Sequence, residues 1–219
     1  MSGKTHADIP LSFFEYRAVY REPIFDFHKL YGEVSQAVFR AFREWNVSLE
    51  NVSHKQNPLN FSEVSTTFSL FGGRLAFNVG LGASGLLVTN PSWSEADLIS
   101  KIANAGVEAV QSGTGVVIEK HRASIAMHVR PITGSIKQYV SNLARLGASE
   151  SLGGDVRAYG ISVYREDSTW VVDKSASYHD ALFVRIEQIL GPQISFEQLA
   201  ARLKDDEMKL LGLLKLEVE

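Results

Sequence analysis

The sequence predicts an α+β fold, a mainly antiparallel sheet with helices packed on one of its faces. Three observations carry this. Several segments alternate apolar and polar residues with a period of two, other segments repeat apolar residues with the helical period, and glycines or prolines separate most of them. In the first half the order strand, helix, strand, strand, helix, strand is that of a split βαβ, or ferredoxin-like, layer, which an extra strand at 86–89 would complicate.

Residues 1–10 are polar and read as mobile, with Pro10 marking the entrance to the first strand. Over 11–21, Phe14, Tyr16, Ala18 and Tyr20 fall on one face, and Phe13, Glu15, Arg17 and Val19 on the other. Pro23 ends this strand. Asp26 can cap a helix whose apolar positions Leu30, Val34, Ala37, Val38, Ala41, Phe42 and Trp45 keep the 3.6-residue period. Residues 46–60 are polar and aperiodic, and read as a connecting loop. Residues 61–71 alternate Val64, Thr66, Phe68 and Leu70 against Ser65, Thr67 and Ser69. Gly72-Gly73 then signals a hairpin, because glycine takes positive φ without steric cost, and Leu75, Phe77, Val79 and Leu81 form the inward row of the return strand.

At Gly82-Ala83-Ser84-Gly85 the alternation breaks, as at a tight turn or a bulge, before Leu86, Leu87 and Val88 resume. Pro91 closes that strand. Ser92-Trp93-Ser94-Glu95 has the capping-box pattern and opens a helix through Ile99, Ile102, Ala103 and Val110. Gly106 costs that helix about 1 kcal/mol relative to alanine, which implies close packing of its backbone on a sheet. A long strand covers 116–130, with Val117, Ala123, Ile125, Met127 and Val129 on one face.

Beyond Pro131 and Gly134 a short helix is predicted around Ile136, Tyr139, Val140 and Leu143, followed by a glycine- and serine-rich linker over 146–155. Residues 156–164 and 169–175 read as a hairpin about Glu166-Asp167-Ser168. Residues 181–190 fit a strand through Leu182, Val184 and Ile186, although a helical face through Leu182, Ile186, Ile189 and Leu190 is also available; the β-branched content favours the strand. Ser195-Phe196-Glu197-Gln198 is a second capping box, leading into Leu199, Ala200 and Leu203. The expected organisation is a βαββαβ-like layer over 11–147, with the strands and helix of 156–219 packed on it as one compact unit.

A net charge of −3, from 22 basic and 25 acidic residues, supplies no global field for nucleic acid or an anionic membrane. The absence of cysteine excludes disulfides, thiolate ligands and cysteine nucleophiles, and makes a cytoplasmic location the default expectation. No apolar run approaches the roughly 20 residues of a membrane span, and the start has no secretory apolar core. The sequons at Asn46, Asn51 and Asn60 would matter only in a secreted chain.

Gly80-Leu81-Gly82-Ala83-Ser84-Gly85 matches G-x-G-x-x-G, but a dinucleotide site needs a helix after those glycines, and Leu86-Leu87-Val88-Thr89 reads as strand. The six histidines, His6, His28, His54, His121, His128 and His179, form no local ligand pair, so any metal site would have to assemble across the fold, and neither a metal nor a cofactor is called for. His121 and His128 are an odd number apart on one strand and face opposite ways. Glu119 and His121 share the face that becomes apolar at Ala123, where a carboxylate and an imidazole could orient one another or hold a ligand. Arg130, just before Pro131, could grip an anion. Asp173-Lys174-Ser175 and Tyr178-His179-Asp180 hold the residue types of a triad, but adjacent histidine and aspartate do not readily give its geometry, and a polar loop is the plainer reading.

These residues point first to a non-enzymatic cytoplasmic binding or assembly module, working through a sheet face or through the apolar C-terminal segment. In the second case Leu210, Leu211 and Leu214 would meet a protein partner or a second copy in a homodimer. The alternative is a small-ligand-binding or hydrolytic protein with a pocket beside strand 116–130 and Glu119, His121 and Arg130 at its rim.

Overall fold

The computed structural model describes residues 5–56, 64–131 and 160–218. It mixes helix and strand, with a large, mainly antiparallel sheet and three helices among the described residues. The chain divides into two compact units, Phe13–Ala123 with Ile189–Ala201, and Met1–Ser12 with Ser124–Gln188 and Arg202–Glu219.

The Phe13–Ala123 unit contains most of β1 (Thr5–Tyr20), then α1 (Phe27–Ala41), β2 (Val52–Lys55), β3 (Ser65–Leu70), β4 (Leu75–Gly80), β5 (Ala83–Thr89), α2 (Ala96–Thr114) and the start of β6 (Ile118–Pro131). Its strands lie in the order β2-β3-β4-β5-β1-β6, and the pairs β2·β3, β3·β4, β4·β5 and β5·β1 are antiparallel. The register sets whole rows of side chains. Tyr16, Leu86, Phe77 and Phe68 stand opposite one another in successive strands, as do Phe14, Val88, Leu75 and Leu70, and all eight are buried. In β1, β3 and β4 these residues belong to the apolar rows that the period of two separates, whereas for β5 the sequence left either face open. Helix α1 packs on α2, and α2 on β4 and β5. The Phe42 ring meets Phe68 and Phe77 edge-on, at centroid distances of 5.9 and 5.2 Å, a favoured geometry for aromatic pairs.

Gly106 lies where this packing is tightest: a Cβ there would be 2.5 Å from the Phe77 ring and 2.9 Å from that of Phe42. The helix therefore gives up propensity to let its backbone approach the sheet. Ser92 and Glu95 make the predicted capping box at its start. The predicted hairpin at Gly72-Gly73 is present, with Phe71, Gly72 and Gly73 all at positive φ (52°, 67° and 87°). Leu81-Gly82 makes a second tight turn between β4 and β5, so the glycines of G-x-G-x-x-G lie between two strands and not between a strand and a helix. The last of them, Gly85, stands where a Cβ would be only 1.9 Å from the Tyr16 carbonyl oxygen.

Two segments differ from the sequence expectation. β1 begins at Thr5 and runs through Pro10, because Thr5, His6 and Ala7 pair in parallel with Leu216, Glu217 and Val218 of β10 (Leu216–Val218). The Thr5 amide also donates to the Lys215 carbonyl at 2.9 Å. Within the expected loop 46–60, β2 pairs with β3 from Val52 opposite Phe68 to Lys55 opposite Ser65. Its exposed residues Ser53, His54 and Lys55 show no alternation to read. The expected short helix near 136–143 and the linker at 146–155 lie outside the described residues.

The other unit holds the first part of β1, β10, the later part of β6, β7 (Gly160–Tyr164), β8 (Ser168–Lys174), most of β9 (Leu182–Leu190) and the end of α3 (Phe196–Leu213). Its strand order is β6-β9-β8-β7, with β7, β8 and β9 antiparallel and Trp170, Val172, Val184 and Ile186 buried. Residues 182–190 are strand, as their β-branched alternation indicates.

The close approach of β5 to β1 makes Gly85 the sharpest test of this register. Gly85→Ala is expected to lower unfolding free energy by about 1–3 kcal/mol, the usual cost of overpacking, because the obstructing atom is backbone. A urea midpoint equal to wild type would contradict the pairing of Arg17 with Gly85.

Candidate functional site

Strand β6 carries three of the side chains that the sequence singles out. Glu119 is exposed, with its nearest charge on Lys120 at 3.8 Å. His121, two residues further along the same face, is buried in the Phe13–Ala123 unit. Its Nδ1 lies 2.9 Å from the Tyr16 hydroxyl and its Nε2 lies 3.3 Å from the Pro192 carbonyl oxygen. A carbonyl can only accept, so Nε2 carries the proton and Nδ1 accepts from Tyr16. The two rings stack at 5.8 Å, and Phe196 meets Tyr16 edge-on at 5.2 Å. Burial pushes His121 below its ordinary pKa of 6.5 and the Tyr16 hydroxyl well above its own, so both stay neutral at pH 7. With both ring nitrogens occupied, this imidazole joins β1, β6 and the turn before α3 and has no lone pair left for a substrate proton.

Arg130 belongs to the other unit. Its Nε donates to Asp8 Oδ1 at 3.1 Å and its Nη2 to Asp8 Oδ2 at 2.6 Å, a bidentate pair that lowers the Asp8 pKa and raises that of Arg130. Asp8 lies in the stretch that the sequence marked as mobile, so this partner was not foreseeable from local pattern. In the same unit the buried His128 lies 2.8 Å, through Nδ1, from the Ser175 hydroxyl. Ser175 Oγ also accepts from the amides of Ser177 and Tyr178 at 3.1 and 2.9 Å, so its proton goes to His128 and it closes a turn. A serine–histidine pair is the nucleophile–base combination, yet here the oxygen is buried and its lone pairs are taken by backbone donors. Of the C-terminal leucines, Leu210 and Leu214 are buried and Leu211 half-buried, whereas Met208 and Leu213 are exposed.

One further concavity is lined by Tyr16 but by none of Glu119, His121, Arg130 or the C-terminal leucines. It is a groove of about 530 Å³ in the Phe13–Ala123 unit, on the sheet face opposite the buried rows. The register places Glu15, Leu87 and Ala76 side by side across β1, β5 and β4, and Arg17, Gly85 and Asn78 in the next row. Glu15 accepts from Arg17 Nε at 2.6 Å, and Asn78 Oδ1 accepts from the Thr67 hydroxyl at 2.7 Å. Leu87 is 43% exposed on this surface. Ala76, Gly80, Gly82, Ala83 and Gly85 also line the groove, which is partly open to solvent. The outward assignment of Glu15 and Arg17 was legible from alternation; that Leu87 and Asn78 adjoin them follows only from the strand order.

Among the described residues no group of three or more His, Cys, Asp or Glu is placed to hold a metal ion, and no helix is long and apolar enough to cross a membrane. No family model matches the chain, and no curated protein matches it.

The two buried histidines make stability depend on pH with a definite sign. Their folded pKa values lie below 6.5, so the unfolded chain takes up protons first as pH falls. The stability that neutral His121 and His128 contribute is complete above pH 6.5 and is lost progressively as pH drops toward their folded values. Urea midpoints should therefore fall between neutral and mildly acidic solution. Tyr16→Phe, which strips His121 Nδ1 of its donor, should cost about 1–3 kcal/mol at neutral pH, the penalty for an orphaned buried acceptor.

Proposed function

We propose that the Phe13–Ala123 unit is a split βαβ, ferredoxin-like layer acting as a non-enzymatic binding module, and that it receives an extended polypeptide segment across the open face of its sheet. The neighbour order β4-β5-β1-β6, with α1 following β1 and α2 preceding β6, supports the layer assignment. The open groove over Leu87, Gly85 and Asn78 carries the binding reading.

The lining favours an extended chain as the occupant. The small lining residues permit close approach of a backbone, Leu87 offers an apolar contact, and the Glu15–Arg17 pair and Asn78 offer polar ones beside it. The chemically versatile groups elsewhere, His121 and Arg130, are engaged by Tyr16, Pro192 and Asp8, which favours binding over catalysis.

A displayed library of random peptides selected against the folded protein tests this. Enriched peptides should bind wild type and lose about tenfold or more in affinity to Leu87→Arg, the scale of about 1.4 kcal/mol for one central contact. If no peptides enrich, or if those that do bind Leu87→Arg unchanged, the groove is not the contact surface.

A further inference from the structure

We propose that a second cavity of the Phe13–Ala123 unit, separate from the groove and independent of its role, is a binding site for an organic cation of the quaternary-ammonium type. The cavity measures about 320 Å³ and lies between the helical turn Arg43–Trp45 and the turn Phe71–Gly73. That volume is at the small end for ligand sites, enough for a head group and too little for a folded segment.

The chemistry of its walls selects the charge. Trp45 and Phe71 are the aromatic residues that line it, a residue type that attracts cations, and Phe71 is 45% exposed where a core phenylalanine would be covered. Glu44 lines the same cavity, is exposed, and makes no ion pair among the described residues. No lysine or arginine is among the lining residues, and the remaining polar ones, Asn46, Asn51 and Ser69, are uncharged. The Asn51 amide is held in place through its Oδ1, which accepts from the Ser48 amide and hydroxyl at 3.1 and 2.7 Å. A site with two rings, one unpaired carboxylate and no positive charge favours a weakly hydrated cation over a neutral or anionic ligand.

The backbone points to the same place. Asn46 and Phe71 both hold left-handed conformations, with φ of 56° and 52°, and both border this cavity. Asparagine tolerates that region, but phenylalanine does so only at a steric cost. A glycine would make the Phe71 turn without strain, so a ring kept at this position is retained against the local preference.

Isothermal titration of the whole protein with choline, and with its neutral carbon isostere 3,3-dimethylbutan-1-ol, tests the site without relying on a variant. Choline is expected to bind about fivefold or more tightly than the isostere, the ratio that a cation–π contribution of this kind produces. Glu44→Gln should weaken choline and leave the isostere unchanged. Phe71→Asn, which keeps the left-handed backbone while removing the ring, should weaken choline with the urea midpoint retained. A peptide bearing trimethyl-lysine provides the second arm. Tighter binding of the peptide than of choline identifies a modified protein side chain as the source of the cation, and the reverse identifies a free one. Equal affinity for choline and its isostere, no effect of Glu44→Gln, or no choline binding at millimolar concentration overturns the proposal.

Discussion

Burial of one face of the antiparallel sheet beneath α1 and α2 is the constraint on which the rest of the Phe13–Ala123 unit depends. Phe42, Phe68 and Phe77 are fully buried there, each contributing on the order of 1.5–3 kcal/mol on removal from water. Interiors are close-packed, so this gain requires the helix backbone to come within reach of the rings, and Gly106 is what allows it. The outer face follows from the same pleat. Residues between the buried ones must point the other way, and Glu15, Arg17, Leu87 and Asn78 become neighbours because Tyr16, Leu86 and Phe77 are aligned beneath them. The groove is thus a consequence of the core register and needs no separate device to build it.

His121 and Ser175 have their hydrogen-bonding groups engaged within the fold, whereas Trp170 Nε1 and Gln188 Oε1 are buried without a hydrogen-bond partner among the described residues. His121 gives its proton to a carbonyl and accepts one from Tyr16, and Ser175 accepts two amides while donating to His128. A catalytic base or nucleophile needs a lone pair directed at a substrate. Arg130, whose guanidinium could have held an anion, spends its fork on Asp8. Leu87 and Glu44 are exposed beside the two concavities, and the proposed binding roles rest on those surfaces.

Local pattern disclosed much of this fold and little of its sites. The inward row of β1, the capping box at Ser92 and Glu95, the hairpin at Gly72-Gly73 and the close-packed Gly106 each leave a short-range signature, a period, a spacing or a residue type with one steric use. β2, β10 and the first residues of β1 leave none. Their strand state comes from backbone hydrogen bonds to partners distant in the chain, and backbone bonding carries no side-chain code. The shared face of Glu119 and His121 was legible by parity, whereas the partners of His121 were not, since Tyr16 and Pro192 reach it only through strand order and the turn before α3.

By itself, then, the sequence determined an α+β chain with a mainly antiparallel sheet, the apolar rows of several of its strands, and where several turns and helix starts fall. These depend on interactions between residues a few positions apart, whose spacing is written directly in the chain. Only the tertiary structure decided which strands are neighbours, which polar groups are already paired, and where open surface is left. Those depend on contacts between distant segments, whose pairing no short-range spacing records.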